Sequence, residues 1–168
     1  MIDKVAEASR RHQRPAFDLL PALAARRLLP ATDEKAAHLI RSRRSAQRFD
    51  RSAHLEADKF WPLLAALMPQ TAEGKATIPW DISSAPPQVH AVVFAHRIDG
   101  LAPGAYLLPR HPEALPALQA ALAHLAWTPA SGSPADIPLY ALSENPALAG
   151  TLRTLSCHQA IGADAVFV

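Results

Sequence analysis

The residues best able to do chemistry stand together in the stretch RSRRSAQRFD, Arg41 to Asp50. Arg41, Arg43, Arg44, Arg48 and, just beyond, Arg51 crowd guanidinium groups around the Ser45 hydroxyl. An arginine fork donates two parallel charge-assisted hydrogen bonds to phosphate oxygens, so the cluster suits a phosphate and makes phosphorylated cofactors the candidate ligands. On a continuous helix, positions 41, 44, 48 and 51 would share one face, and Phe49 would turn inward as an anchor. A second reading needs no ligand: arginines at the C-terminal end of a helix complement its dipole as a solvated end. Nucleic acid fits less well, because interleaved aromatic residues and a wider basic field are missing.

Other reactive residues carry less. His90 and His96 would lie on one strand face roughly 20 Å apart, too far to share a metal, and are expected to be structural. Cys157 and His158 invite a nucleophile and base reading, yet sequence neighbours diverge on a helix or a strand. No G-x-S-x-G, P-loop, G-x-G-x-x-G or paired metal-ligand spacing occurs, so no metal is expected. Trp61, Trp80 and Trp127 are expected in packing rather than as a stacking platform.

The elements that must position the arginines follow from periodicity. Residues 1–31 read as a leader of short helical pieces broken by Pro15, Pro21 and Pro30. In TDEKAAHLIRSRR, Thr32 would cap a helix whose first turn holds Asp33 and Glu34 and whose apolar face is Ala36, Leu39 and Ile40. Phe60, Leu63, Leu64 and Leu67 mark a second helix that Pro62 should start or kink. Residues 69–88 read as a long loop. VHAVVFAH, 89–96, is a nearly continuous apolar strand, and Gly100, Pro103 and Gly104 turn it into a partner strand at 105–108, a hairpin. Leu115, Leu118, Leu122 and Leu125 trace a third helix opened by Pro112, followed by a loop over 128–138. The stretch around Gly150 and Gly162 is helical, and AVFV begins another buried strand.

Bulk composition sets the frame. A chain of 168 residues, 49% hydrophobic and 19% charged, is expected to be one globular domain. Its net charge of +2 creates no global field toward nucleic acid or anionic membrane, although the pI is about 9.0. Sixteen prolines imply many loops. With Cys157 alone there is no internal disulfide, no segment reaches the ~18 apolar residues of a membrane span, and the N-terminus has no apolar signal core. The expectation is a cytoplasmic protein without a membrane partner.

With those residues in view, LIRSRRSAQRFD resembles the N-terminal flavin signature of the nitroreductase superfamily, in which a helix ends in Arg-Arg/His-Ser-x-Lys/Arg-x-Phe. VVFAHRIDGLAPGAYLLPRHPEAL is similar to the strand, turn and strand of its SagB-type dehydrogenase branch, and LSCHQAIGADAVFV to the segment entering the next core strand. The likeness covers residues 32–168. It implies an α+β, nitroreductase-like fold with a central sheet flanked by helices, of which this chain, stopping at Val168, would be the N-terminal part. It further implies FMN as cofactor, held by Arg43, Arg44 and Ser45, with Gln47 standing where Lys or Arg is usual. PWDISSAPP corresponds to a flavin-edge segment and adds Ser83 and Ser84 as candidates. The implied activity is azoline dehydrogenation in a modified peptide, or reduction of a nitro or quinone-like acceptor with NAD(P)H. A homodimer or a complementing chain would complete the flavin site. The alternative is a non-catalytic half-domain that binds a partner.

Overall fold

The nearly continuous apolar run forms the first strand of a sheet in the computed structural model, which describes residues 33–46, 48–69, 80 and 86–168, but Val89 and Val92 are exposed, so it is not covered on both faces. The helical leader 1–31, the Thr32 cap, Gln47, Ser83, Ser84 and most of the loop 69–88 lie outside the described residues. Strand β1 (Ala91–Ala95) pairs antiparallel with β2 (Gly104–Leu108), in a register from Ala91 opposite Leu108 to Ala95 opposite Gly104. This is the expected hairpin. Gly100 takes φ +81°, open to glycine at little cost, and Tyr106 pins the turn by donating its hydroxyl to the Ala102 carbonyl at 2.7 Å.

Two further strands escaped the sequence reading. β3 (Thr128–Pro129) falls within the expected loop, and β4 (Tyr140–Glu144) follows it. β2 pairs with β4 and β4 with β3, all antiparallel, giving the order β1-β2-β4-β3 and a bulge between Ala105 and Tyr106. Gly104 is required where β2 meets β4, since a Cβ there would run into the backbone carbonyl of Ser143. Residues 166–168 pair antiparallel with the other edge of β1. Phe94 N–H donates to the Val168 carbonyl at 2.8 Å, and Val168 N–H donates back to Phe94 at 3.0 Å. The protein is therefore α+β, an open antiparallel sheet with helices.

One helix closes the sheet's buried face. α2 (Ala57–Ala65) sends Phe60 and Leu64 into a core with Val93, Ala95, Tyr106, Leu108, Leu139 and Ala141. Each such burial contributes about 1.5 to 3 kcal/mol. Phe60 also meets Phe167 edge-on at 5.6 Å, tying the C-terminal segment to the same core. Pro62 lies inside α2 rather than at its start, where it has no N–H to offer the Asp58 carbonyl. Leu63 and Leu67 are each 37% exposed, so the apolar face is narrower than the periodicity predicts. The third expected helix resolves into a 3-10 turn, Pro112–Ala114, and α3 (Leu115–Ala121), with Leu115, Leu118, Leu122 and Leu125 half-buried. α4 (Leu148–Leu155) and α5 (Ile161–Asp164) complete the chain.

Candidate functional site

The arginine cluster leaves the helix that leads to it. Helix α1 (Ala36–Ser42) stops before Arg43, whose φ of -55° and ψ of 133° are extended. Arg41, Arg44, Arg48 and Arg51 therefore share no helical face. The reason is local: like charges three and four residues apart repel on a helix, and helix-end carbonyls lack N–H partners. Arg44 Nη1 supplies one, donating to the carbonyls of Arg41 at 2.9 Å and Arg43 at 3.0 Å. At the other end, Asp33 and Glu34 precede α1 instead of filling its first turn, and Lys35 occupies the cap. No residue of α1 is buried; Leu39 and Ile40 are 44% and 76% exposed.

Residues 43–46 and 48–50 form an arm without helix or strand. Arg43, Arg44, Ser45, Ala46 and Phe49 face Gln159, Ala160 and Ile161 across a half-open cleft of about 650 Å³. The far wall is shaped by the turn from α4 into α5. There Ser156 N–H donates to the Leu152 carbonyl at 2.9 Å and His158 N–H to that of Arg153 at 2.7 Å. Cys157 and His158 take left-handed φ values of 55° and 61°, which complete the helix-closing turn that glycine usually makes. Gly162 lets α5 lie against α4, because a Cβ would stand 2.6 Å from Ser156 Oγ and 2.9 Å from the Leu152 carbonyl oxygen. Behind this wall, His96 Nε2 lies 3.1 Å from the Gly162 carbonyl. Burial pushes the His96 pKa down, partly offset by that hydrogen bond, and the neutral ring must carry its proton on Nε2 to donate.

The arm is fastened at its downstream end. Asp50 accepts the Ser52 N–H at 2.8 Å and the Ser52 hydroxyl at 2.6 Å, bonds that hold its carboxyl below the usual range. Arg51 Nη2 donates to Asp164 Oδ2 at 2.8 Å. Arg97 then gathers three carbonyls, those of Ala53, Asp164 and Ala165. Leu55 docks by backbone bonds of 2.9 Å to Arg97 and to Asp99.

The candidate contacts Arg43, Arg44 and Ser45 are thus brought together on one cleft, with Phe49 half-buried beside them as the expected anchor. Gln47, Ser83 and Ser84 cannot be placed against it, lying outside the described residues. Gln159, Ala160, Ile161 and the Arg51–Asp164 pair went unread in the sequence; no local pattern marks residues so distant from the arginines. The histidines serve structure: His90 Nδ1 accepts the Arg110 N–H at 3.1 Å, and His96 holds the wall. Trp61 packs on Phe60 and Trp127 on Tyr140, as packing residues should. Trp80 instead underlies the Arg110 guanidinium at 4.2 Å, a cation–π contact.

Chemically, the guanidinium groups that line the cleft are of the kind that can receive an anion. The Arg43 guanidinium and the Ser45 hydroxyl make no hydrogen bond among the described residues, and no carboxylate lines the cleft. The described lining holds guanidinium groups, the Ser45 hydroxyl and the Gln159 amide, groups that can donate hydrogen bonds to a ligand. No group of three or more His, Cys, Asp or Glu gathers for a metal among the described residues, and no described helix is long and apolar enough to cross a membrane. Compared with known protein families, curated proteins and solved structures, the chain matches none.

Proposed function

We propose that this chain is the phosphate-gripping part of an FMN-dependent oxidoreductase with a nitroreductase-like fold, of the SagB-type dehydrogenase group. The observation that carries the proposal is the convergence of Arg43, Arg44, Ser45 and Phe49 on one cleft opposite Gln159 to Ile161. These residues fit the group. Two guanidinium groups and a hydroxyl, unopposed by a lining carboxylate, suit a phosphate, while Phe49, Ala160 and Ile161 offer apolar surface to a ring system. The volume lies within the range of about 300–1,000 Å³ common to small-ligand pockets. The antiparallel α+β architecture is compatible with such a fold.

Bound FMN would supply hydride transfer, from NAD(P)H to a nitro or quinone-like acceptor or from an azoline in a modified peptide. The chain's own residues bind the phosphate through Arg43 and Arg44, orient it through Ser45, and keep water from one side of the cleft through Phe49 and Ile161. A second copy or a complementing chain would close the open side, and the lone Cys157 suits a reducing, cytoplasmic setting. A second reading, a non-catalytic half-domain that binds a partner, is favoured by one observation: α1 presents Leu39 and Ile40 to solvent.

Titrating the full chain with FMN, followed by flavin fluorescence, tests the first reading. Saturable binding is expected, and Arg44→Ala should weaken it by about 1 to 3 kcal/mol, the scale of a lost charge-assisted contact. A protein that stays colourless after reconstitution and leaves the fluorescence unchanged sinks the reading and leaves the partner-binding one.

A further inference from the structure

Asp164 is the buried charged residue among those described, at 8% exposure, and neither gripping nor chemistry has yet used it. It is the last residue of α5, and the turn that opens α5 supplies Ala160 and Ile161 to the cleft wall. Its carboxylate accepts Arg51 Nη2 at 2.8 Å across 113 residues of sequence. Arg51 immediately follows the arm. Between Arg43 and Asp50 no hydrogen bond or ion pair reaches the body among the described residues, so Arg51–Asp164 is the polar tether nearest the gripping side chains. One carboxylate therefore joins the two sides of the cleft.

We infer that Asp164 is the positioning residue of the cleft: through Arg51 it sets how far the Arg43–Phe49 arm stands from the Gln159–Ile161 wall, and hence how tightly a phosphorylated ligand is held. The affinity part of this inference rests on the FMN reading above; the geometric part does not. The tether is selective in what it controls. Arg97 donates to the backbone carbonyl of Asp164, not to its side chain, so α5 stays docked when the carboxylate is neutralised. Leu55 keeps its backbone bonds to Arg97 and Asp99 as well. What is released is the arm alone.

Asp164→Asn keeps the shape and removes the ionic acceptor. Spin labels on the exposed native Cys157 and on Arg48→Cys report the distance between wall and arm, and flavin fluorescence on the unlabelled full chain reports FMN affinity. In Asp164→Asn the distance distribution is expected to broaden and FMN affinity to fall on the order of tenfold, the scale of a binding group displaced by less than an ångström or so. Arg51→Lys, which keeps the cation, should retain most of the affinity, a rescue that a merely space-filling role would not predict. An unchanged distance distribution in Asp164→Asn, or FMN affinity equal to the parent's, overturns the inference. Should Asp164→Asn fail to fold, Arg51→Ala carries the same two readouts, since its side chain is 65% exposed and its loss spares the core. A parent chain that takes no FMN, with a distribution that still broadens in the variant, refutes the flavin reading and upholds the tether.

Discussion

In the sheet, Tyr106, Leu108 and Leu139 are at most 2% exposed and every strand has a partner; in α1 and the arm, a few residues away from Leu55, Ile40 is 76% exposed and no helical residue is buried. The same chain thus spends its apolar residues on one region and leaves the other to charge. The contrast teaches where each kind of energy resides. Stability comes from the sheet and α2 through burial, whereas in the arm Arg44 satisfies only local carbonyls and the Arg43 guanidinium makes no hydrogen bond among the described residues.

The largest expected effect breaks the sheet side of the comparison. Leu108→Ala, at a position with 0% exposure, should cost about 2 to 5 kcal/mol in a denaturant melt. A cost below that range would mean that the β1–β2–α2 core is not the seat of stability. Next comes the arm: Arg44→Ala should leave the melt within about 0.5 kcal/mol of the parent while FMN affinity falls, so that binding and stability separate. A melt that drops together with the affinity would erase the distinction between the regions.

A smaller effect lies at the seam between them. Burial holds His96 below the ordinary histidine value of 6.5, so the unfolded chain takes up the proton first as pH falls. The stability from His96 is then full above about 6.5 and fades as pH drops from there through the lower folded value. Melts on either side of 6.5 should show that loss, and His96→Gln, whose amide can still donate to the Gly162 carbonyl, should flatten it. Smallest of all, Ile40→Ser should change stability by less than about 0.5 kcal/mol, because Ile40 is 76% exposed. A larger loss would mean that α1 packs in solution.

What could be read in the sequence divides along the same line. The hairpin was legible because its signals are local: a β-branched apolar run, then Gly100, Pro103 and Gly104. The proximity of Arg43, Arg44 and Ser45 was legible because they are sequence neighbours, and guanidinium groups beside a hydroxyl suggest anion chemistry whatever the backbone does. Their backbone was not. A helix continued through Arg51 satisfies periodicity, but periodicity ignores repulsion between neighbouring arginines and the pull of helix-end carbonyls on Arg44. β4 was missed because Tyr140–Glu144 is short, and its partner β2 lies more than thirty residues upstream. The wall of Gln159 to Ile161 was missed for the same reason in stronger form, for only tertiary packing puts it opposite Arg43.

The tether between Arg51 and Asp164 also leads us to expect an order of events in folding. The β1–β2 hairpin closes through a short turn, and such local contacts form early. The cleft needs a pair separated by 113 residues, a closure whose entropy cost is met only after the hairpin and α5 are in place. During synthesis the arginines would leave the ribosome long before the carboxylate that seats them. Should the cleft hold a ligand as proposed, that competence would be acquired only after residue 164 has been made, and a chain cut ahead of it would lose the tether together with the pairing of residues 166–168 on β1.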